Sequence, residues 1–315
     1  MKRFIAIGGP TGSGKSSLAM ELAPLINGEI VSCDSMQIYR GLDIGTAKPS
    51  VEDREKVTHW MLDIKDPSER YSVADYVADA GTAIEDINSR GRTAIVCGGT
   101  GLYMSSLLAG TVFSEEVPRN EQLREELSGI ISEQGTESLI SEIIQADPEY
   151  GGRLKKNDRS RIIRAVEIIR SGHTPSEMIR LSHGEMPQSL RILVNCSSRE
   201  ELYRRIEARC DRMLETGILE EAKYVFDNRE SFTTAAAAIG YKEFFSYLEG
   251  RDSLQLCLDE LKKATRHYAK RQLTWFRREN GFRTVFSDLD SSEKIAADLI
   301  KVWKEDPDSE SFIGI

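Results

Sequence analysis

At 315 residues with 40% hydrophobic and 30% charged content, the chain is long enough to bury one large core and a smaller second one. A formal net charge of -9 opposes indiscriminate binding to polyanions, whose affinity comes mostly from Lys and Arg neutralising phosphates, so a nucleic-acid partner has to meet locally basic surfaces. The five cysteines, Cys33, Cys97, Cys196, Cys210 and Cys257, are odd in number, scattered and without a metal-type pair, which excludes a disulfide framework or zinc finger and predicts a reduced, cytoplasmic protein.

The first apolar run, Phe4 to Ile7, reads as a strand, too short for a signal-peptide core. Directly after it comes Gly9-Pro10-Thr11-Gly12-Ser13-Gly14-Lys15-Ser16, a G-x-x-x-x-G-K-[ST] loop placed before a helical pattern, Ser16 to Leu25. Such a loop curls backbone N–H groups around phosphate oxygens at a helix N-terminus. Lys15 bridges phosphates there, and the Ser16 hydroxyl is the expected ligand of Mg²⁺. The motif specifies phosphate; it accepts a nucleoside triphosphate as readily as another diphosphate ester.

Further strands are predicted at Glu29 to Cys33, Thr93 to Cys97, Arg191 to Cys196 and Thr284 to Phe286, with a helix over Val73 to Ile87 between the second and third. Strands alternating with helices give an α/β fold, a parallel sheet covered on both faces in the manner of P-loop NTPases. Ligands bind beyond the carboxyl ends of such strands. The second strand ends in Asp34-Ser35-Met36-Gln37, where Asp34 suits three jobs: general base, Mg²⁺ ligand or helix N-cap. The third ends in Gly98-Gly99-Thr100-Gly101, where an ordinary NTPase more often carries an aspartate.

Alternation stops between Val117 and Pro187, a helical stretch with apolar stripes at Leu123, Leu127, Ile130, Ile131 and at Ile162, Ile163, Val166, Ile169. We therefore divide the chain into a catalytic core, residues 1–116 and 188–315, and an all-helical insertion, residues 117–187. A last long helix spans Asp252 to Arg278, with Lys263, Arg266, Lys270 and Arg277 on one face and Leu254, Leu258, Leu261, Tyr268 and Trp275 on the core face. Residues 153–180 hold eight basic and three acidic side chains, and residues 262–283 eight basic and one acidic, so cationic surfaces sit on an acidic body. The tail at Asp306-Pro307-Asp308-Ser309 is expected to be loosely docked.

The run Asp34-Ser35-x-Gln37-x-Tyr39, followed by Gly41-x-Asp43-Ile44-Gly45-Thr46-Ala47-Lys48-Pro49, resembles the bacterial tRNA dimethylallyltransferases, also called tRNA isopentenyltransferases. The likeness continues nearly end to end. It runs through His59 and Asp63, Gly98 to Tyr103, Asn157-Asp158, Arg205 with Arg209 and Met213, Ile239-Gly240-Tyr241-Lys242-Glu243, and Thr265-Arg266 with Tyr268 to Arg277. The resemblance implies that dimethylallyl diphosphate lies on the P-loop with Mg²⁺ and that the N6 amine of adenosine 37, beside the tRNA anticodon, attacks the allylic carbon. It implies Asp34 as proton acceptor, with Thr11, Lys15, Ser16 and Arg209 binding the departing diphosphate. It also implies contacts to the flipped-out base and its neighbours from Ser35, Met36, Gln37 and Thr100. RNA contacts are further implied along Ser160, Arg161, Ile162, Ile163 and Arg164, where the insertion would grip the anticodon stem-loop, and along Ile239, Gly240, Tyr241 and Lys242.

Two features depart from the pattern: Ala235 to Ala238 offer only alanine before Ile239, and His267 stands where a second arginine is common. Three rivals remain at this point. An enzyme prenylating free AMP would need no basic insertion, a small-molecule kinase would need a lid that is not evident, and a non-catalytic RNA binder would tolerate loss of Asp34. No self-association stripe is visible, and a monomer is expected.

Overall fold

The computed structural model describes residues 3–113 and 117–305; the acidic tail lies outside the described residues. Six strands, β1 (Arg3–Gly8), β2 (Gly28–Ser32), β3 (His59–Trp60), β4 (Thr93–Gly98), β5 (Gln188–Asn195) and β6 (Phe282–Phe286), form one sheet in the order β3-β2-β4-β1-β5-β6. Every pairing is parallel. The β1 and β4 runs are buried on both faces, which is why they read as unbroken apolar segments rather than alternating ones. The two-residue β3 escaped the sequence reading because it is too short to show any period.

One face of the sheet is covered by the helix Val73–Ser89, through Tyr76, Ala80, Ile84 and Ile87, and by Gly101–Leu108. On the other, Leu18 and Leu22 of the helix Lys15–Leu25 pack with Ile295, Leu299 and Val302 of Ser292–Glu305. A capping box in which Ser72 and Asp75 bond each other's backbone starts the Val73–Ser89 helix. Ser253 caps the long helix Leu254–Phe276 by accepting from the Leu256 amide. A third core gathers Ile206, Cys210, Ile218, Val225, Tyr241 and Phe244 with Leu258, Leu261 and Ala269 of that long helix. All five cysteines are free and buried, and among the described residues no helix is long and apolar enough to cross a membrane.

The chain divides into two compact units, Met1–Leu108 with Pro187–Ile315, and Ala109–Met186. The inserted unit starts at Ala109 rather than Val117 because its two ends pair: the Val112 amide donates to the Ser182 carbonyl at 2.8 Å, and Thr111 bridges antiparallel to His183. Within it the two stripes bury each other, with Leu127, Ile131, Leu139, Ile143, Ile162 and Val166 at the centre.

Glu167 organises the same unit. Its carboxylate, only 3% exposed, accepts from the Asn120 amide at 2.6 Å, from Arg124 at 3.0 and 2.8 Å, and from Arg164 at 2.6 Å. Burial by itself would raise the Glu167 pKa, but Arg124, the Asn120 N–H and Arg164 together hold it down at about 2, below its ordinary 4.5. A carboxyl depressed on folding stabilises the protein above its unfolded pKa. That contribution is lost as pH falls from about 4.5 to about 2. Glu167→Gln is expected to lower stability by about 3–5 kcal/mol, the cost of breaking a buried pair, and to flatten the melting temperature's dependence on pH in that window. Denaturant and thermal melts from pH 2 to 7 check both parts; a variant as stable and as acid-sensitive as the wild type would contradict them.

Candidate active site

The carboxyl ends of β1, β2 and β4 lie side by side, bringing the loop after Gly8, the turn after Ser32 and the Gly98–Thr100 segment to one crevice. The Lys15–Leu25 helix starts in the phosphate loop, behind Gly14 in a left-handed conformation at φ 85, which an L side chain rarely adopts. Its N-terminal amides and dipole therefore face the crevice. A cavity of about 340 Å³ opens there, lined by Thr11, Lys15 and Ser16 of the phosphate loop with Arg209 and Gln272, by Asp34 to Gln37 and Gly45 to Ala47, and by Ile239, Gly240, Lys242 and Arg271.

Of the cations lining this space, Lys15 and Arg209 lie nearest the phosphate loop. Burial pushes the Lys15 ammonium below its ordinary value and the neighbouring Arg209 guanidinium pushes it further, while Cys97 and Asp34 act the other way. Arg209 is lowered by burial too, with Cys210 and Asp34 opposing. Lys15 Nζ donates to the Pro10 carbonyl at 3.3 Å, and Arg209 donates to Thr11 Oγ1 at 2.7 Å. Two partly buried cations at a helix N-terminus, with Asp34 as the carboxylate in the lining, leave positive charge for an anion to complete.

Asp34 forms an Asx turn: its Oδ1 accepts from the Met36 amide at 2.9 Å, and no helix follows it. The Ser35 amide donates to Thr100 Oγ1 at 3.0 Å, so Thr100 supports the turn from beneath. Gln37 is held at both ends, its Nε2 donating to the Thr46 and Ala47 carbonyls at 3.1 Å each and its Oε1 accepting from Ser32 Oγ at 2.8 Å.

Gln272 lies in the run Tyr268 to Arg277, where nothing in the sequence assigns its side chain a role of its own. It is 5% exposed, accepts from the Thr11 amide at 2.9 Å and donates to the Gly99 carbonyl at 2.9 Å, tying the phosphate loop to the β4 end. This close approach requires Gly99, where a Cβ would lie 2.2 Å from Gln272 Nε2. The available signal was a polar residue falling on the apolar face of the long helix. Tyr268, assigned to the core face by its spacing, is instead a wall of the cavity, and burial pushes its phenol up. Trp275 is structural: its Nε1 donates to Ser105 Oγ at 2.7 Å. Ser287, also missed, donates to the Ser13 carbonyl at 2.6 Å while accepting from Arg205 at 2.9 Å.

Four expected RNA contacts need correction. Tyr241 is fully buried, its hydroxyl donating to Glu221 at 2.6 Å. Ile162 is fully buried and Ile163 packs on the same inserted core; both fall on the inward stripe of the helix Arg159–Arg170. Arg164 donates to Glu167 and, at 2.9 Å, to the Val117 carbonyl, so its guanidinium is engaged within the insertion. Ser160 and Arg161 are exposed on the first turn of that helix, and Arg161 has only a 3.6 Å approach to Asp158.

Comparison with known proteins agrees with this geometry. The family described as IPP transferase matches residues 37–279. A tRNA dimethylallyltransferase 2 of Geotalea daltonii is 45% identical over 289 residues, covering 90% of this chain and 87% of that protein. A tRNA dimethylallyltransferase of Geobacillus thermodenitrificans is 39% identical over 96% of each chain. Among solved structures, the full-length tRNA isopentenylpyrophosphate transferase from Bacillus halodurans superposes with a TM-score of 0.71 at 36% identity, covering 97% of this chain and 98% of the other. A eukaryotic dimethylallyltransferase acting on tRNA superposes with a TM-score of 0.78 at 28% identity, covering 96% and 80%. Matching from Gln37 to Glu279 and along nearly the whole length of its relatives, this chain belongs to the IPP transferase family.

Proposed function

We infer that the protein is a tRNA dimethylallyltransferase: it moves a dimethylallyl group from its diphosphate ester to the N6 amine of adenosine 37 in the anticodon loop. The observation that carries this reading is that one cavity is lined both by the phosphate-loop residues Thr11, Lys15 and Ser16 with Arg209 and by the Asp34 turn. The diphosphate lies against the cations and the allylic carbon points across the cavity toward Asp34. As the amine nitrogen bonds to that carbon, the carbon–oxygen bond breaks, the diphosphate leaves with its electron pair, and the amine proton passes to Asp34. An exocyclic amine is a weak nucleophile, so neutralising the leaving group and accepting the proton are where the protein lowers the barrier.

Magnesium fits this site as a companion of the diphosphate. The exposed Ser16 hydroxyl stands at the start of the Lys15–Leu25 helix. Among the described residues no cluster of three His, Cys, Asp or Glu could hold a metal unaided. Mg²⁺ is commonly held by few protein oxygens plus substrate phosphates, so Ser16 would hold it, and the ion would add positive charge to the leaving diphosphate.

The inserted unit is the proposed grip on the anticodon stem-loop, through the exposed Ser160 and Arg161 at a helix N-terminus suited to phosphate. Arg161→Ala is expected to weaken tRNA affinity several-fold, to reduce the salt slope of binding by about 1, and to leave the KM for dimethylallyl diphosphate unchanged. Filter binding across a salt series checks it; an unchanged slope would return Arg161 to plain surface. The reading as a whole requires that diphosphate release from the prenyl ester depend on added tRNA. Release at the same rate without RNA, or stimulated equally by AMP, would sink it.

A further inference from the structure

Glu221 lies on the helix Ile218–Asp227, does not line the cavity, and belongs to no motif singled out in the sequence. Its carboxylate nevertheless has four donors. Oε2 accepts from the Asp43 amide at 2.8 Å and the Ile44 amide at 2.9 Å. Oε1 accepts from the Gly45 amide at 2.9 Å and the Tyr241 hydroxyl at 2.6 Å. Three consecutive backbone amides converging on one carboxylate form an anion nest filled by the protein's own side chain.

The two segments so joined are both walls of the cavity. Gly45, Thr46 and Ala47 form one, and Ile239, Gly240 and Lys242, flanking the buried Tyr241, form the other. They touch backbone to ring: a Cβ on Gly45 would lie 2.6 Å from the Tyr241 ring, so only glycine allows the approach. The first wall then acts on the acceptor turn, because the Thr46 and Ala47 carbonyls hold the Gln37 amide. Lys48, whose side chain is 1% exposed, closes the same loop by donating to Asp43 at 2.7 Å and to Asp63 at 2.5 Å. None of these bonds reaches the phosphate loop, Arg209 or Gln272.

We propose that Glu221 is a positioning residue for the acceptor half of the site: its carboxylate fixes the spacing of the Gly45–Ala47 and Ile239–Lys242 walls and the aim of Gln37, and so sets how the acceptor nucleobase is received. The proposal rests on the reading of a tRNA adenosine as acceptor. Glutamine at this position offers one oxygen to four donors and turns an NH₂ toward backbone amides, so it breaks the nest at nearly constant volume. A misplacement of about 1 Å in a reacting group can cost roughly 10²-fold. Because the bonds are confined to the acceptor half, the loss falls on the RNA and not on the prenyl ester.

The test is steady-state kinetics of wild type, Glu221→Gln and Tyr241→Phe with tRNA and dimethylallyl diphosphate varied in turn. It is accompanied by direct binding of an unmodified anticodon stem-loop and by melting temperatures. Glu221→Gln is expected to raise the KM for tRNA and the Kd for the stem-loop at least tenfold, with the KM for dimethylallyl diphosphate within twofold of wild type. Tyr241→Phe, which keeps the carboxylate and its three amide bonds, should move the RNA values about threefold in the same direction. An unchanged KM for tRNA, or both KM values rising together as in general loosening, overturns the proposal. If Glu221→Gln does not fold, Tyr241→Phe decides by the same criterion. A wild type that prenylates tRNA beside an indifferent Glu221→Gln refutes the positioning role alone, whereas a wild type inert toward RNA refutes the acceptor reading.

Discussion

Asp34→Asn is expected to lower kcat by roughly 10² to 10⁴, the usual worth of a general base, while tRNA and prenyl-diphosphate binding stay within a few-fold of wild type. The choice of asparagine follows from the turn. Asp34 Oδ1 accepts from the Met36 amide, and an asparagine oxygen makes the same Asx turn. The Ser35 and Gln37 contacts to Thr100, Thr46 and Ala47 therefore persist, and only the basicity is removed. Single-turnover kinetics with labelled donor separates chemistry from binding. If Asp34→Asn turns over as fast as wild type, Asp34 is a turn cap and the proton goes elsewhere; if it binds tRNA poorly with normal single-turnover rates, its role is recognition.

Arg209→Ala should cost about 10²- to 10³-fold in kcat/KM for dimethylallyl diphosphate, the scale seen when one preorganised charge-stabilising donor is lost. Arg209 is half-buried, donates to Thr11 Oγ1 at 2.7 Å and shares the cavity with Lys15. Its removal therefore deletes a cation beside the leaving group and frees the Thr11 side chain at once. Arg209→Lys keeps the charge but not the planar fork, and intermediate activity is expected. The loss should appear in the prenyl ester's kinetics, with stem-loop binding unchanged. Unchanged kinetics in Arg209→Ala would return it to the helix surface and remove it from the diphosphate site.

Much of this site was legible in the sequence, and the reason is locality. The phosphate loop, the Asp34–Gln37 turn and the Gly98–Thr100 segment each follow an apolar strand directly, so a short motif in its context gives both chemistry and placement. Gln272 and Glu221 were not legible, because their partners lie 261 and 178 residues away in Thr11 and Asp43, and nothing in local periodicity links such pairs. Gly99 illustrates the middle case. Its presence was noted, but its reason, the 2.2 Å an added Cβ would leave to Gln272, required the tertiary contact.

The errors on the insertion have the same character. Reading Ser160 to Arg164 as one RNA-contacting stretch ignored helix geometry, which turns Ile162 into the core while Arg161 stays outside. Arg164 was misread for a different reason: an arginine in a basic run looks solvent-facing until its acidic partner is known. Glu167 is three residues away, but it is buried by packing that sequence does not display. Arg124 and Arg164 are both spent on the buried Glu167, so a count of basic residues along the insertion overstates the cationic surface that RNA would meet.

The central claim is tested most directly by incubating the purified protein with Mg²⁺, radiolabelled dimethylallyl diphosphate and either unmodified tRNA or AMP, then digesting the RNA and separating its nucleosides. The account predicts label in an N6-modified adenosine from tRNA, at position 37, and none in AMP. Label in AMP alone, or in neither acceptor, would contradict it.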